Sequence, residues 1–206
     1  MYLYPIKIFF NTIEPYNRSY HNINMRKDIK PSKLNLNNKM RMLWEQHIVW
    51  TRMLITSIIF DLPDADPVAN RLLQNPMDFA KVLRPFYGNN IASQFSNLFR
   101  DHLVIASNLV KAAKAGDSET ASNAEREWYN NTDEIAAFLG NINPYWSKDQ
   151  WKDMLHRHLE LTKSEAVDML NKDYKSSISR YDEIERQALE MADIMTAGII
   201  KQFMIN

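Results

Sequence analysis

Residues 43–54 read Leu43-Trp44-Glu45-Gln46-His47-Ile48-Val49-Trp50-Thr51-Arg52-Met53-Leu54. Leu43, His47, Trp50 and Leu54, continued by Ile58, follow the spacing i, i+4, i+7, i+11, i+15, which is one face of an α-helix. Pro63 ends that helix. Working outward, Asp66-Pro67 and then Asn75-Pro76 each read as an N-cap followed by proline at the first helical position. The second segment is therefore expected as two short helices, closed by Arg84-Pro85 and Gly88. A third helix is expected from about Asn90 to Ala115, and Gly116-Asp117-Ser118 stops it and starts a fourth that runs to about Leu139. Ser147-Lys148-Asp149-Gln150 is a capping box opening a fifth helix, and a sixth runs from about Tyr174 to Phe203. No segment alternates with period two, so the fold class is all-α: six helical segments in three antiparallel hairpins.

The opening stretch recurs. Leu98-Phe99-Arg100-Asp101-His102-Leu103 and Met154-Leu155-His156-Arg157-His158-Leu159 repeat Leu43 to Ile48, with the aligned histidines 55 (102 − 47) and 56 (158 − 102) residues apart. Downstream, Asn75, Asn131 and Gln187 fall in register, then Asp78, Glu134 and Glu190, then Ala80, Ala136 and Ala192, then Leu83, Leu139 and Met195. Identity between the copies is low. The agreement falls on histidines, amides and carboxylates, which an apolar pattern does not align by default, and it points to a weak internal triplication.

Composition bounds the rest. In 206 residues there is no cysteine, which excludes disulfides, thiolate metal sites and a cysteine nucleophile. Four glycines leave no room for a glycine-rich phosphate loop. The 25 basic and 25 acidic residues cancel only overall: residues 1–39 hold seven basic and two acidic ones (+5), which leaves 18 and 23 (−5) for residues 40–206. The net negative segment disfavours nucleic acid, and no 18-residue apolar run predicts a membrane span. Residues 1–39 show no sustained apolar period, and are rich in Asn, Lys, Ile, Tyr and Phe, residue types with A/T-rich codons. They read as a disordered extension or as leader translated from an upstream start, with the helical domain at 40–206. Met1–Phe10 is interrupted by Lys7 and followed by no small-residue cleavage site, so the expected location is cytoplasmic.

His47, His102 and His158 lie on apolar helix faces, and neutral imidazole is a good metal ligand. With Asp78, Glu134 and Glu190 as oxygen donors, the set suits a divalent ion: zinc, iron or manganese. Three histidines meet only if the hairpins close around an axis; a stacked solenoid keeps them apart. The competing reading is a structural histidine–carboxylate pair within each hairpin, with Asp78 as a capping acid. The di-iron pattern of Glu three residues before His is absent, because Trp44, Phe99 and Leu155 hold that position. His156 and His158 are two apart and point in different directions. The tryptophans Trp44, Trp50, Trp128, Trp146 and Trp151 frame either a ligand pocket or the core. Met191, Met195 and Met204 give the last helix a methionine-bearing face.

Several of these stretches carry a family resemblance. They are Leu43-Trp44-Glu45-Gln46-His47 with Trp50-Thr51-Arg52, Asn75-Pro76-Met77-Asp78-Phe79-Ala80, Leu83-Arg84-Pro85-Phe86-Tyr87-Gly88, Asp133 to Leu139, Ile142-Asn143-Pro144-Tyr145-Trp146, and Met191 to Phe203. Over residues 40–203 the chain resembles a family of small proteins of spore-forming bacteria whose members typically begin near the position of Met40. Some members carry the name acetylglutamate kinase. Such kinases resemble an α/β sandwich with glycine-rich phosphate loops, a pattern this chain departs from. The family also resembles, loosely, ferritin-like helical proteins, some of which hold metal. The leading expectation is a non-catalytic helical bundle binding a divalent metal. The alternatives are a metal-dependent enzyme using the same residues, or an interaction module without ligand that dimerises through its last helix.

Overall fold

The structure, a computed structural model, describes residues 32–205. They form α1 (Lys33–Ile59), α2 (Ala65–Leu72), α3 (Asn75–Ala115), α4 (Ser118–Ile142), α5 (Lys148–Leu170) and α6 (Tyr174–Phe203), with no strand among them.

Local chemistry sets most boundaries. Ser32, Asp117, Ser147 and Asp173 each accept a hydrogen bond from a backbone N–H in the first turn they open. Gly116, at φ 72°, caps α3 in the left-handed conformation, and the Asp117 N–H reaches back to the Ala112 carbonyl at 3.0 Å. Gly88, at φ 77° and ψ 174°, breaks α3 into arms 75–87 and 89–115 without an intervening loop. A side chain at that φ is strained, which is why glycine stands there.

Two expectations are corrected. The helical domain starts at Lys33, not Met40: Leu36 and Met40 extend the buried stripe of Leu43 and His47, and Asn37 and Arg41 both bind Asp193 on α6. Residues 32–39 therefore belong to the bundle, and the extension expected over residues 1–31 lies outside the described residues. Nor are Asp66 and Asn75 N-caps. Asp66 lies inside the first turn of α2, and Asn75 is the fully buried first residue of α3.

The helices form a closed ring, α1–α3–α4–α5–α6 and back to α1, with α2 lying along α1. Three hairpins are visible in it. The first pairs α1 with α2 and the 75–87 arm of α3, the second pairs the 89–115 arm with α4, and the third pairs α5 with α6. The triplicated alanines sit where the helices meet: Ala80, Ala136 and Ala192 are all buried, as are Leu83, Leu139 and Met195 one turn on.

Candidate functional site

The amide that sequence alignment placed in register does the same work in each hairpin. Asn75 Nδ2 donates to the Leu43 carbonyl at 3.0 Å, Asn131 Nδ2 to Leu98 at 3.1 Å, and Gln187 Nε2 to Met154 at 2.8 Å. Each acceptor lies four residues before a repeat histidine, so the amide locks hairpin register at the level of that histidine. A buried hydrogen bond of this kind contributes about 1 kcal/mol, and losing one partner costs more.

The second hairpin shows the complete motif. His102 Nδ1 donates to Asn131 Oδ1 at 3.2 Å, and Trp128 Nε1 donates to His102 Nε2 at 3.2 Å. Because the Asn131 amide nitrogen is already engaged and an indole can only donate, His102 is the neutral ring protonated at Nδ1. In the other hairpins the equivalent atoms are buried without a partner: His47 Nδ1 with Asn75 Oδ1, and His158 Nδ1 with Gln187 Oε1. Burial keeps all three rings uncharged. It pushes His102 down to about 3, with His158 adding to the effect and Asn131 opposing it, and it pushes His158 down to about 4. His47 is held well below the ordinary histidine value, first by burial and then by His158 and His102.

The ring closure brings the three histidines together. The His47 ring stands 5.6 Å from His158 and 6.5 Å from His102, around a cavity of about 10 Å³ that Trp44, Phe99, Trp151 and Met195 also line. Two imidazoles sharing a tetrahedral ion at ordinary bond lengths stand roughly 5 Å apart, centre to centre. His47 and His158 come near that; His102 does not, and Trp128 holds its free nitrogen.

The carboxylates expected beside them are elsewhere. Glu134 and Glu190 are exposed, and Asp78 pairs with Lys81 at 2.8 Å on the surface. The reason is register: three residues past the buried amide points away from the ring axis, while four past it (Phe79, Ile135, Met191) points inward. Among the described residues no three histidine or acidic side chains are placed to hold a metal ion. The six-residue set read from the sequence is thus not assembled, and His102, the one of the three whose Nδ1 has a partner, finds an amide instead of an acid. His156 sits half-buried on Asp133 at 2.7 Å, apart from the three.

A second site carries no sequence signal of its own. One turn past the histidines, the inward positions are Thr51, Ala106 and Thr162. These small side chains roof an apolar cavity of about 200 Å³ between α1, α3, α4 and α5. Leu54, Ile55, Leu103, Val110, Ala166 and the indole of Trp128 supply much of its wall. Val167, which is 44% exposed, and the Lys163–Glu125 ion pair (2.6 Å), which ties α5 to α4, also line it. On the far side of α5, Glu165 is the one fully buried carboxylate among the described residues, paired with Arg52, whose guanidinium lies over Tyr181. Burial pushes Glu165 up to about 7, with Arg52 opposing.

Of the tryptophans, Trp128 alone borders the large cavity; Trp44 and Trp151 border the small one. Trp146 packs on α6 at Gly198, where an added methyl would overlap the indole. Comparison of the chain with protein-family models, with curated proteins and with solved structures gives no match.

Proposed function

We propose that this chain is a non-catalytic binding protein that holds one small, neutral, largely hydrocarbon molecule in the cavity beneath the histidine layer. The observation carrying this is the size and lining of that cavity: about 200 Å³, with aliphatic walls and its charged residues confined to the Lys163–Glu125 pair. A 150 Å³ apolar cavity takes benzene, so this one suits a ligand of roughly eight to ten heavy atoms. No nucleophile–base pair lines the cavity, which favours holding over turnover.

The test is a calorimetric and thermal-melt titration of the full chain with benzene, ethylbenzene and butylbenzene. Ethylbenzene is expected to bind saturably and raise Tm. Ala166→Leu, which fills the cavity with three carbons, is expected to fold and to lose that binding. Failure of all three hydrocarbons to raise Tm, or undiminished binding by Ala166→Leu, overturns the reading.

In this reading the chain works as a monomer. α6 runs between α1 and α5, and its large exposed apolar side chains are the scattered Tyr174, Ile178 and Phe203, a poor seam for a dimer.

A further inference from the structure

One side chain on the wall of the apolar cavity has a hydroxyl that makes no hydrogen bond. Thr51 and Thr162 occupy the same register position, four residues past His47 and His158, and both line the cavity. Thr51 gives its hydroxyl proton to the His47 carbonyl at 2.7 Å, the common arrangement for a threonine inside a helix, and Thr56 and Thr196 do the same one turn back along their own helices. Thr162 does not. It is 5% exposed, and its Oγ1 is buried with no hydrogen-bond partner among the described residues.

The other polar side chains of the wall are engaged or half-open. Lys163 and Glu125 pair with each other, the Trp128 indole donates to His102, and Ser107 is half-buried rather than enclosed. A buried hydroxyl without a partner is destabilising, so a bound molecule that supplies one gains from it. No hydrogen bond holds the Thr162 side chain in its setting. A helical threonine has two χ1 rotamers open to it, and turning Oγ1 onto the cavity breaks no bond. Oγ1 both donates and accepts. With its proton turned to the cavity, the ligand must accept. With its proton turned back to the His158 carbonyl, as that of Thr51 is to His47, the ligand must donate. A hydroxyl meets both cases, and a ketone or ether only the first. A carboxylate or an ammonium group would bring an unpaired charge against aliphatic walls.

We propose that the ligand of the apolar cavity is a small uncharged alcohol, its single hydroxyl hydrogen-bonded to Thr162 Oγ1 and its hydrocarbon part against the aliphatic wall. One placed polar group in an otherwise apolar pocket fixes the orientation of a ligand and selects it over its hydrocarbon analogue. The proposal rests on the reading of this cavity as a hydrocarbon-binding site, and adds the class of ligand and the residue that selects it.

The test is calorimetric titration of the full chain, and of its Thr162→Val and Thr162→Ser variants, with ethylbenzene and benzyl alcohol. The two molecules have the same shape and differ by a methyl against a hydroxyl. Thr162→Val removes a hydroxyl that bonds to nothing, so the variant is expected to fold, with an unchanged circular dichroism spectrum. The parent is expected to bind benzyl alcohol at least as tightly as ethylbenzene, although the alcohol leaves water less readily. In Thr162→Val, benzyl alcohol is expected to bind about ten-fold more weakly and ethylbenzene as before. Thr162→Ser, which keeps the hydroxyl, is expected to keep the parent's preference. Binding of ethylbenzene without benzyl alcohol, an unchanged preference in Thr162→Val, or a lost preference in Thr162→Ser overturns the proposal and leaves the cavity reading standing. Binding of neither molecule to the parent overturns both.

Discussion

The two halves of the bundle, on either side of the histidine layer, follow one repeat plan and end up opposite in character. Three residues before the histidines stand Trp44, Phe99 and Leu155, all buried. With Phe79 and Phe95 they fill the ring, the Phe79–Phe99 centres lying 5.3 Å apart at 82°. Four residues after the histidines stand Thr51, Ala106 and Thr162, and there the ring is left open. The backbone frame is common to both. Side-chain volume at equivalent positions decides whether a layer becomes core or cavity.

The largest expected effect concerns the layer between the halves. All three histidines have folded values below their ordinary 6.5, so the stability they contribute is fully present above pH 6.5 and lost as pH falls towards about 4 and then 3. Three unequal titrations at about 1.4 kcal/mol per pH unit each give a slope of about 4 kcal/mol per unit below pH 6. Glu165 runs the other way: raised to about 7, its contribution is present below the ordinary carboxylate value and lost as pH rises through 7. Urea denaturation from pH 7.5 down to 5 reads the sum, and His102→Gln should flatten the acid slope by about a third. An unchanged slope in that variant would show that the layer is not buried and neutral.

Next in size is the contrast between the two halves themselves. Phe79→Ala, in the filled half, is expected to cost about 4 kcal/mol, and Leu54→Ala, on the cavity wall, about 2 kcal/mol. Equal losses in urea denaturation would erase the distinction. The smallest effect has the opposite sign: without ligand, Ala166→Leu should gain about 1 kcal/mol, three carbons at about 0.8 kcal/mol each less strain and lost rotamer freedom. A loss there would mean that the volume is not free.

The residue patterns made much of this legible. Proline, glycine and capping residues located five of six helices closely, and the 55- and 56-residue spacing of the histidines marked three equivalent hairpins. The three histidines and the three amides were readable as positions in register, because polar residues on apolar faces stand out, whereas the meeting of the histidines and the pairing of His102 with Asn131 were not. The carboxylates Asp78, Glu134 and Glu190 misled for the same reason: they share a register, but one that faces solvent. The start of α1 was hidden because Leu36 and Met40 are isolated in an Asn- and Lys-rich run. The large cavity was invisible, since Leu54, Val110 and Ala166 have the pattern of any core-facing helix and no sequence records which core positions go unfilled.

The sequence by itself determined the helices, their hairpins and the register within each, because these depend on local capping, on backbone conformations open only to glycine, and on the 3.6-residue period. Only the tertiary structure decided that the hairpins close into a ring. Closure brings His47 to within 5.6 Å of His158 and puts Met195 on the same cavity wall. It also sets the small side chains of three helices opposite one another, and void volume is a property of that opposition rather than of any one helix.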